Sequence, residues 1–217
     1  MISNQLSPSW MVSDQINKLG IIGGTFDPIH LGHLHLASAL KTKIGFDKVL
    51  LVVANDPWMK SKRNLTSANH RFEMVKIAVS GLVGVEASDL EIARGGVTYS
   101  ADTLYELSNK FPNAELNFII GSDLVEELAL WDRVEEIFEL AKVLVVTRPQ
   151  SVESNSMSNP VPNSLASRLE YVELEAIEVS STNVRNRLAM QLSVQGLVPA
   201  NVIDYIAKHH LYSDKFK

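Results

Sequence analysis

The side chains with most chemistry to offer stand in one run, Gly23-Gly24-Thr25-Phe26-Asp27-Pro28-Ile29-His30-Leu31-Gly32-His33. It reads as a phosphate-handling turn. Gly23 and Gly24 allow backbone angles that other residues resist, and they remove the Cβ atoms that would hold a ligand off the main chain. Pro28 fixes its own φ, so the turn keeps its donors in place without an ordering cost on binding. A helix beginning just beyond offers unpaired N–H groups and the positive end of its dipole, which attract phosphate before any side chain acts. His30 and His33 add donors at that point. Far downstream, Val179-Ser180-Ser181-Thr182-Asn183-Val184-Arg185 sets hydroxyls at a helix start with Arg185 one turn along. Alone that is a capping signal; beside the first turn it forms the second half of a phosphate clamp. His30, His33 and His35 lie close in sequence, but neither cysteine nor a well-spaced acidic residue completes a metal-ligand set.

These groups need a frame, and the apolar pattern supplies one. Leu19-Gly20-Ile21-Ile22 is an apolar run ahead of the turn, as in a buried parallel strand. After the turn Leu36, Leu40 and Ile44 recur at intervals of four, with Ala37 beside them, which predicts a helix from Leu31 onward. Further strands are expected at 48–54, 83–87, 116–120, 143–147 and 169–174, those at 48–54 and 116–120 buried. Helical faces lie between them: Phe72, Val75 and Val79 within 67–79, and Leu104, Leu107 and Phe111 behind a Ser100 cap. Val134, Ile137, Phe138 and Ala141 follow the capping-box pattern Asp132-Arg133-Val134-Glu135. The last helix, 199–210, turns Val202, Ile203 and Ile206 inward and leaves His209 and His210 at the surface.

Strands alternating with helices predict an α/β domain with a parallel sheet, whose ligand groups belong past the carboxyl ends of the strands. Lys60 and Asp123 fall at such places. Arg71 on helix 67–79 either reaches toward phosphate or is an exposed helical arginine, the commoner case. Residues 150–164, rich in Ser, Asn and Pro, read as a surface loop. Residues 1–18 show no clear periodicity and read as an N-terminal extension to a domain spanning 19–217.

Composition narrows the classes. With 217 residues, 46% hydrophobic and 21% charged, the chain can bury a sizeable core in a single domain. A formal net charge of -5 argues against a nucleic-acid groove, so a nucleotide partner should be small. Zero cysteines exclude disulfides, thiolate metal sites and a cysteine nucleophile. No apolar run approaches the ~18 residues of a membrane span, and nothing before Gly20 reads as a signal peptide. The expectation is therefore a cytoplasmic protein with no membrane partner. Neither Gly-x-Gly-x-x-Gly after a strand nor a Gly-Lys-Ser/Thr loop is present, so the common dinucleotide and P-loop readings fail.

The run from Gly23 to His33 resembles the signature of nucleotidyltransferases with a His-x-Gly-His motif, specifically the bacterial nicotinate-nucleotide adenylyltransferases. Matching pieces follow in order, and the resemblance covers about residue 20 to about residue 211. Thr98-Tyr99-Ser100, with Thr103-Leu104, resembles the family segment that meets the nicotinate carboxylate. Gly121-Ser122-Asp123 resembles its ribose-binding turn, and Trp131, next to Asp132, stands where the family stacks an aromatic on the pyridine ring. Arg148-Pro149 and the Ser181-Thr182 to Arg185 segment match as well. One piece departs: the family often reads Pro-Pro-His-Lys where this chain has Pro57-Trp58-Met59-Lys60. Lys60 carries over and the histidine's role does not. The variant resembles the actinobacterial branch.

The resemblance implies a Rossmann-like, doubly wound parallel sheet in a single domain. It also implies an enzyme of NAD biosynthesis that moves the adenylyl group of ATP to nicotinate mononucleotide, giving deamido-NAD and pyrophosphate. In that scheme Gly23, Gly24, Thr25, Phe26 and Lys60 line the ATP site, and His30 and His33 donate to its phosphates. Ser181, Thr182 and Arg185 hold the leaving group, with His30, His33 and Arg185 as the catalytic set. Thr98, Tyr99, Ser100, Asp123, Trp131, Asp132 and Arg148 bind the acceptor. The attacking phosphate is already ionised near neutral pH, so catalysis reduces to alignment and charge neutralisation. Mg2+ comes with the triphosphate, held mainly by phosphate oxygens and water. Nicotinamide mononucleotide and phosphopantetheine stand as alternative acceptors. A regulatory nucleotide-binding module without turnover is the rival of a different class. A domain of this size serves as a monomer or a homodimer.

Overall fold

The computed structural model describes residues 16–57, 65–149, 163–175 and 177–213. Strand β1 (Lys18–Gly24) sits inside a six-stranded sheet, where Leu19, Ile21 and Ile22 are all buried, as its apolar run requires. On one side of it lie β2 (Lys48–Val53) and then β4 (Val85–Ser88). On the other lie β6 (Glu115–Gly121), β7 (Lys142–Thr147) and β8 (Leu169–Glu173). Every pairing is parallel. Two short strands, β3 (Asp56–Pro57) and β5 (Val97–Thr98), form a separate parallel pair. Numbered within the large sheet, the order is 3-2-1-4-5-6, the doubly wound Rossmann order. It reverses between β1 and β6, which opens a crevice at their carboxyl ends.

Because side chains alternate along a strand, β1 feeds two apolar cores. Ile22, with Val49, Leu51, Ile119 and Leu144, packs against the face covered by α1 (Leu31–Leu40), α2 (Ala68–Val79), α7 (Ser181–Ala189) and α8 (Ala200–Lys208). Leu19 and Ile21, with Leu50, Val52, Phe118 and Val145, pack under α4 (Ser100–Lys110) and α5 (Val134–Leu140). Leu165 of the short α6 (Asn163–Ala166) joins that second core. The remaining helix, α3 (Leu90–Arg94), lies between β4 and β5. Among the described residues no helix is long and apolar enough to cross a membrane.

Several local expectations change. The strand expected at 83–87 begins at Val85, because Gly84 takes a left-handed φ of 73° in the turn before it. The apolar spacing after the first turn runs on to Ile44, but the α-helical ladder stops at Leu40 and Lys41–Gly45 forms a π turn. Ser100 does not cap α4: it is the first helical residue, with Tyr99 at the cap position. The capping box expected from Asp132 to Glu135 is also absent, since Arg133 takes the cap position in a left-handed conformation. Arg133 is held there by Asp132 at 2.9 Å and Asp102 at 2.7 Å. Residues 1–15, 150–162 and the loop carrying Lys60 lie outside the described residues.

Candidate active site

The phosphate turn is built by clamps on its own backbone. After β1 the chain passes through Phe26 at φ 46°, a conformation costly for a bulky residue, and a cis Asp27–Pro28 bond. Phe26 is buried over Gly24, where an added Cβ would stand 2.9 Å from the ring. Its edge meets the His33 ring at 5.0 Å. His30 occupies the N-cap of α1 and donates its backbone N–H to His33 Nδ1 at 3.2 Å. That bond places the His33 ring proton on Nε2. The two imidazoles stack at 3.6 Å. Burial pushes the His30 imidazole down to about 4, so it is neutral at pH 7.

Arginines tie the turn to its neighbours. Arg71, expected at the surface or on phosphate, is instead 1% exposed. Its Nε donates to the Thr66 carbonyl, NH1 to the carbonyls of Thr25 and Ala54, and NH2 to that of Asn55, all between 2.6 and 3.0 Å. It is a fastener of loop backbone. Arg185 donates from NH1 to the Asp27 carbonyl at 2.7 Å and from NH2 to Thr182 Oγ1 at 3.1 Å. Ser180 caps α7 by accepting from the Asn183 N–H, which leaves the Ser181 hydroxyl to donate to the Pro28 carbonyl at 2.9 Å. The Ser181-Thr182-Arg185 group therefore approaches the turn through its backbone.

A cavity of about 760 Å³ opens at the carboxyl ends of β1 and β6. Gly23, Gly24, Thr25, Phe26, His30 and His33 form one wall. Thr98, Tyr99, Ser100, Asp123, Trp131, Asp132 and Arg148 stand around the rest, so these two sets from the sequence meet in one space. Ser181, Thr182 and Arg185 lie beside the cavity and do not line it. Sequence reasoning missed Glu91 in the lining. This carboxyl is 5% exposed, accepts from the Thr103 hydroxyl at 2.6 Å, and is pushed above the usual carboxylate range by burial. Only the Glu91-x-x-Arg94 pair ahead of Thr98 hinted at it. His35, close to His30 and His33 in sequence, also lines the cavity, and its Nε2 hydrogen-bonds to the Glu175 carbonyl at 2.9 Å.

The decisive feature is where unsatisfied groups collect. Among the described residues, four buried side-chain atoms have no hydrogen-bond partner of sound geometry: His30 Nδ1, Glu91 Oε2, Thr98 Oγ1 and Trp131 Nε1. All four belong to residues that line this one cavity. Thr98 and the backbone N–H of Asn55 lie near enough to Glu91 for weak hydrogen bonding, but neither contact has sound geometry. Each such atom costs about 1–3 kcal/mol in a closed fold, which marks the cavity as a place a polar ligand completes.

Comparison with known proteins agrees with this geometry. Residues 21–187 match the cytidylyltransferase-like family model. A Corynebacterium kroppenstedtii protein named "probable nicotinate-nucleotide adenylyltransferase" is 41% identical over 195 residues, covering 90% of each chain. The chain belongs to this family of nucleotidyltransferases. A Saccharopolyspora erythraea relative of the same name is 40% identical, over 90% of this chain and 89% of its own. In fold, the chain resembles the Plasmodium falciparum nicotinic acid mononucleotide adenylyltransferase solved with NaAD. The TM-score is 0.72 at 21% identity, over 93% of this chain and all of that one. The family assignment suits a cavity that spans the switch point of a doubly wound sheet, with a glycine turn and paired imidazoles at one end.

Proposed function

We propose that this protein transfers the adenylyl group of ATP to nicotinate mononucleotide, forming deamido-NAD and pyrophosphate. The observation that carries the reading is the run of unpartnered buried groups along one cavity, from the His30 turn to Trp131. His30 and His33 donate to the triphosphate from the helix start, and Gly23 and Gly24 admit it close to the backbone. Lys60 and Arg148 add positive charge to the phosphates, and Asp123 accepts from a ribose hydroxyl. Arg185, Ser181 and Thr182 hold the turn and flank the leaving pyrophosphate. The pyridine carboxylate meets donors from Thr98 to Ser100, and its ring stacks on Trp131 beside Asp132. Stacking contributes about 0.5–1.5 kcal/mol beyond area burial.

The acceptor phosphate attacks the α-phosphorus while the bond to pyrophosphate breaks. No general base is needed, and the protein's share is alignment and charge neutralisation. Among the described residues no three His, Asp or Glu side chains gather as a metal cage. Mg2+ is assigned as part of the MgATP substrate, ligated chiefly by phosphate and water. A cytoplasmic location goes with these substrates. The test is pyrophosphate release from MgATP with nicotinate mononucleotide, nicotinamide mononucleotide and phosphopantetheine offered separately. Release chiefly with the first is expected. Release with another acceptor overturns the acceptor pocket, and ATP binding without release in any case points to a regulatory module.

A further inference from the structure

Asp27 is the only acidic residue between Gly23 and His33, and it sits in the middle of a turn read as a phosphate site. A carboxylate there would repel a triphosphate. Thr25, Phe26 and His30 line the cavity, whereas Asp27 does not and is only 2% exposed. Two groups hold it inside: the Tyr212 hydroxyl donates to Asp27 Oδ1 at 2.7 Å, and the Thr66 N–H donates to Oδ2 at 3.3 Å. Arg71 and Arg185 are the charged groups that face this pair from α2 and α7.

Tyr212 comes from the segment after α8, far away in sequence. It is itself 2% exposed and has φ 67°, a backbone region that an aromatic residue rarely adopts. Such a conformation persists where surrounding contacts over-determine it. Burial first, and the nearby carboxylate second, push the Tyr212 hydroxyl well above its ordinary range, so it stays a donor.

We infer that Tyr212 is a positioning residue for adenylyl transfer. Its hydroxyl holds the Asp27 carboxylate inside the fold, fixing the turn that carries His30 and keeping its one negative charge off the ATP phosphates. This inference rests on the proposed reaction. Tyr212→Phe keeps the ring and removes only the hydroxyl. It is expected to lower kcat about tenfold and raise the KM for ATP several-fold, with the KM for nicotinate mononucleotide unchanged within about twofold.

Asp27→Asn removes the charge but keeps an oxygen that accepts the Tyr212 hydroxyl, so adding Tyr212→Phe to it should raise the ATP KM clearly less than it does in the wild type. That pair carries the test even where Tyr212→Phe alone fails to fold. Wild-type kcat and ATP KM in Tyr212→Phe overturn the inference. So does an equal rise in both KM values, or a full-size effect in the Asp27→Asn background. A wild-type protein that binds ATP without releasing pyrophosphate refutes the reaction. The ATP Kd of the same variants, by calorimetry, then still decides whether Tyr212 positions the turn.

Discussion

The two ends of the central sheet treat charge in opposite ways. At the amino end, Glu115 pairs with Lys142 at 2.8 Å and Lys18 at 3.8 Å, and Lys48 pairs with Glu86 at 2.7 Å. These are partly solvated pairs that close on themselves, each worth about 0–1 kcal/mol. At the carboxyl end, Asp27, His30, Arg71 and Glu91 are all buried, and all four unsatisfied side-chain atoms stand around the cavity. Among the described residues, these amino-end charges pair with one another at the solvated rim. The carboxyl end carries costs that stability alone would remove, and the difference singles it out as the candidate site.

The sharpest way to break this contrast is His33→Ala. It should lower kcat by about 10²–10³, as loss of a preorganised donor to developing charge does, while costing only about 1 kcal/mol of stability through the lost cap to the His30 N–H. An unchanged rate in the folded variant removes His33 from the chemistry. Arg71→Met deprives the Thr25, Ala54, Asn55 and Thr66 carbonyls of their shared donor and should destabilise the fold by about 3 kcal/mol in urea unfolding. Wild-type stability in that variant would mean the guanidinium fastens nothing.

The pH dependence comes next. His30 is lowered by burial from 6.5 to about 4, so between those values the unfolded chain binds a proton that the folded chain refuses. Stability is then complete above about pH 6.5 and falls as pH drops toward 4, by up to about 3 kcal/mol. Urea unfolding from pH 7 to 4 should show this slope in the wild type and a shallower one in His30→Ala; equal slopes would contradict the burial argument. Smallest of all is the amino end. Glu115→Gln should shift stability by less than about 1 kcal/mol and leave kcat alone, and a large fall in activity would show that the two ends are coupled.

Much of this contrast was legible in the residues. Continuous apolar runs such as Leu19 to Ile22 marked the inner strands β1, β2, β6 and β7, because strands buried on both faces need no alternation. Gly23 to His33 marked the candidate site because its turn chemistry is local. What escaped depends on partners distant in sequence. Arg71 has the spacing of an exposed helical residue, and only the fold brings it to the four carbonyls it holds. Asp132 has the spacing of a cap, but Arg133 is drawn into ion pairs with Asp102 and Asp132 that move the helix start. β3, β5 and α3 are too short for any periodicity to show. Asp27 sat in the recognised turn, yet its partner Tyr212 lies 185 residues away.

The most direct test of the account is amide hydrogen exchange with and without deamido-NAD. Protection should grow in residues 23–33, 98–100 and 121–132 at the carboxyl end, and stay unchanged around Lys18, Glu115 and Lys142. Protection confined to the amino end, or none anywhere at saturating dinucleotide, would contradict the claim that the unsatisfied end of the sheet is the nucleotide site.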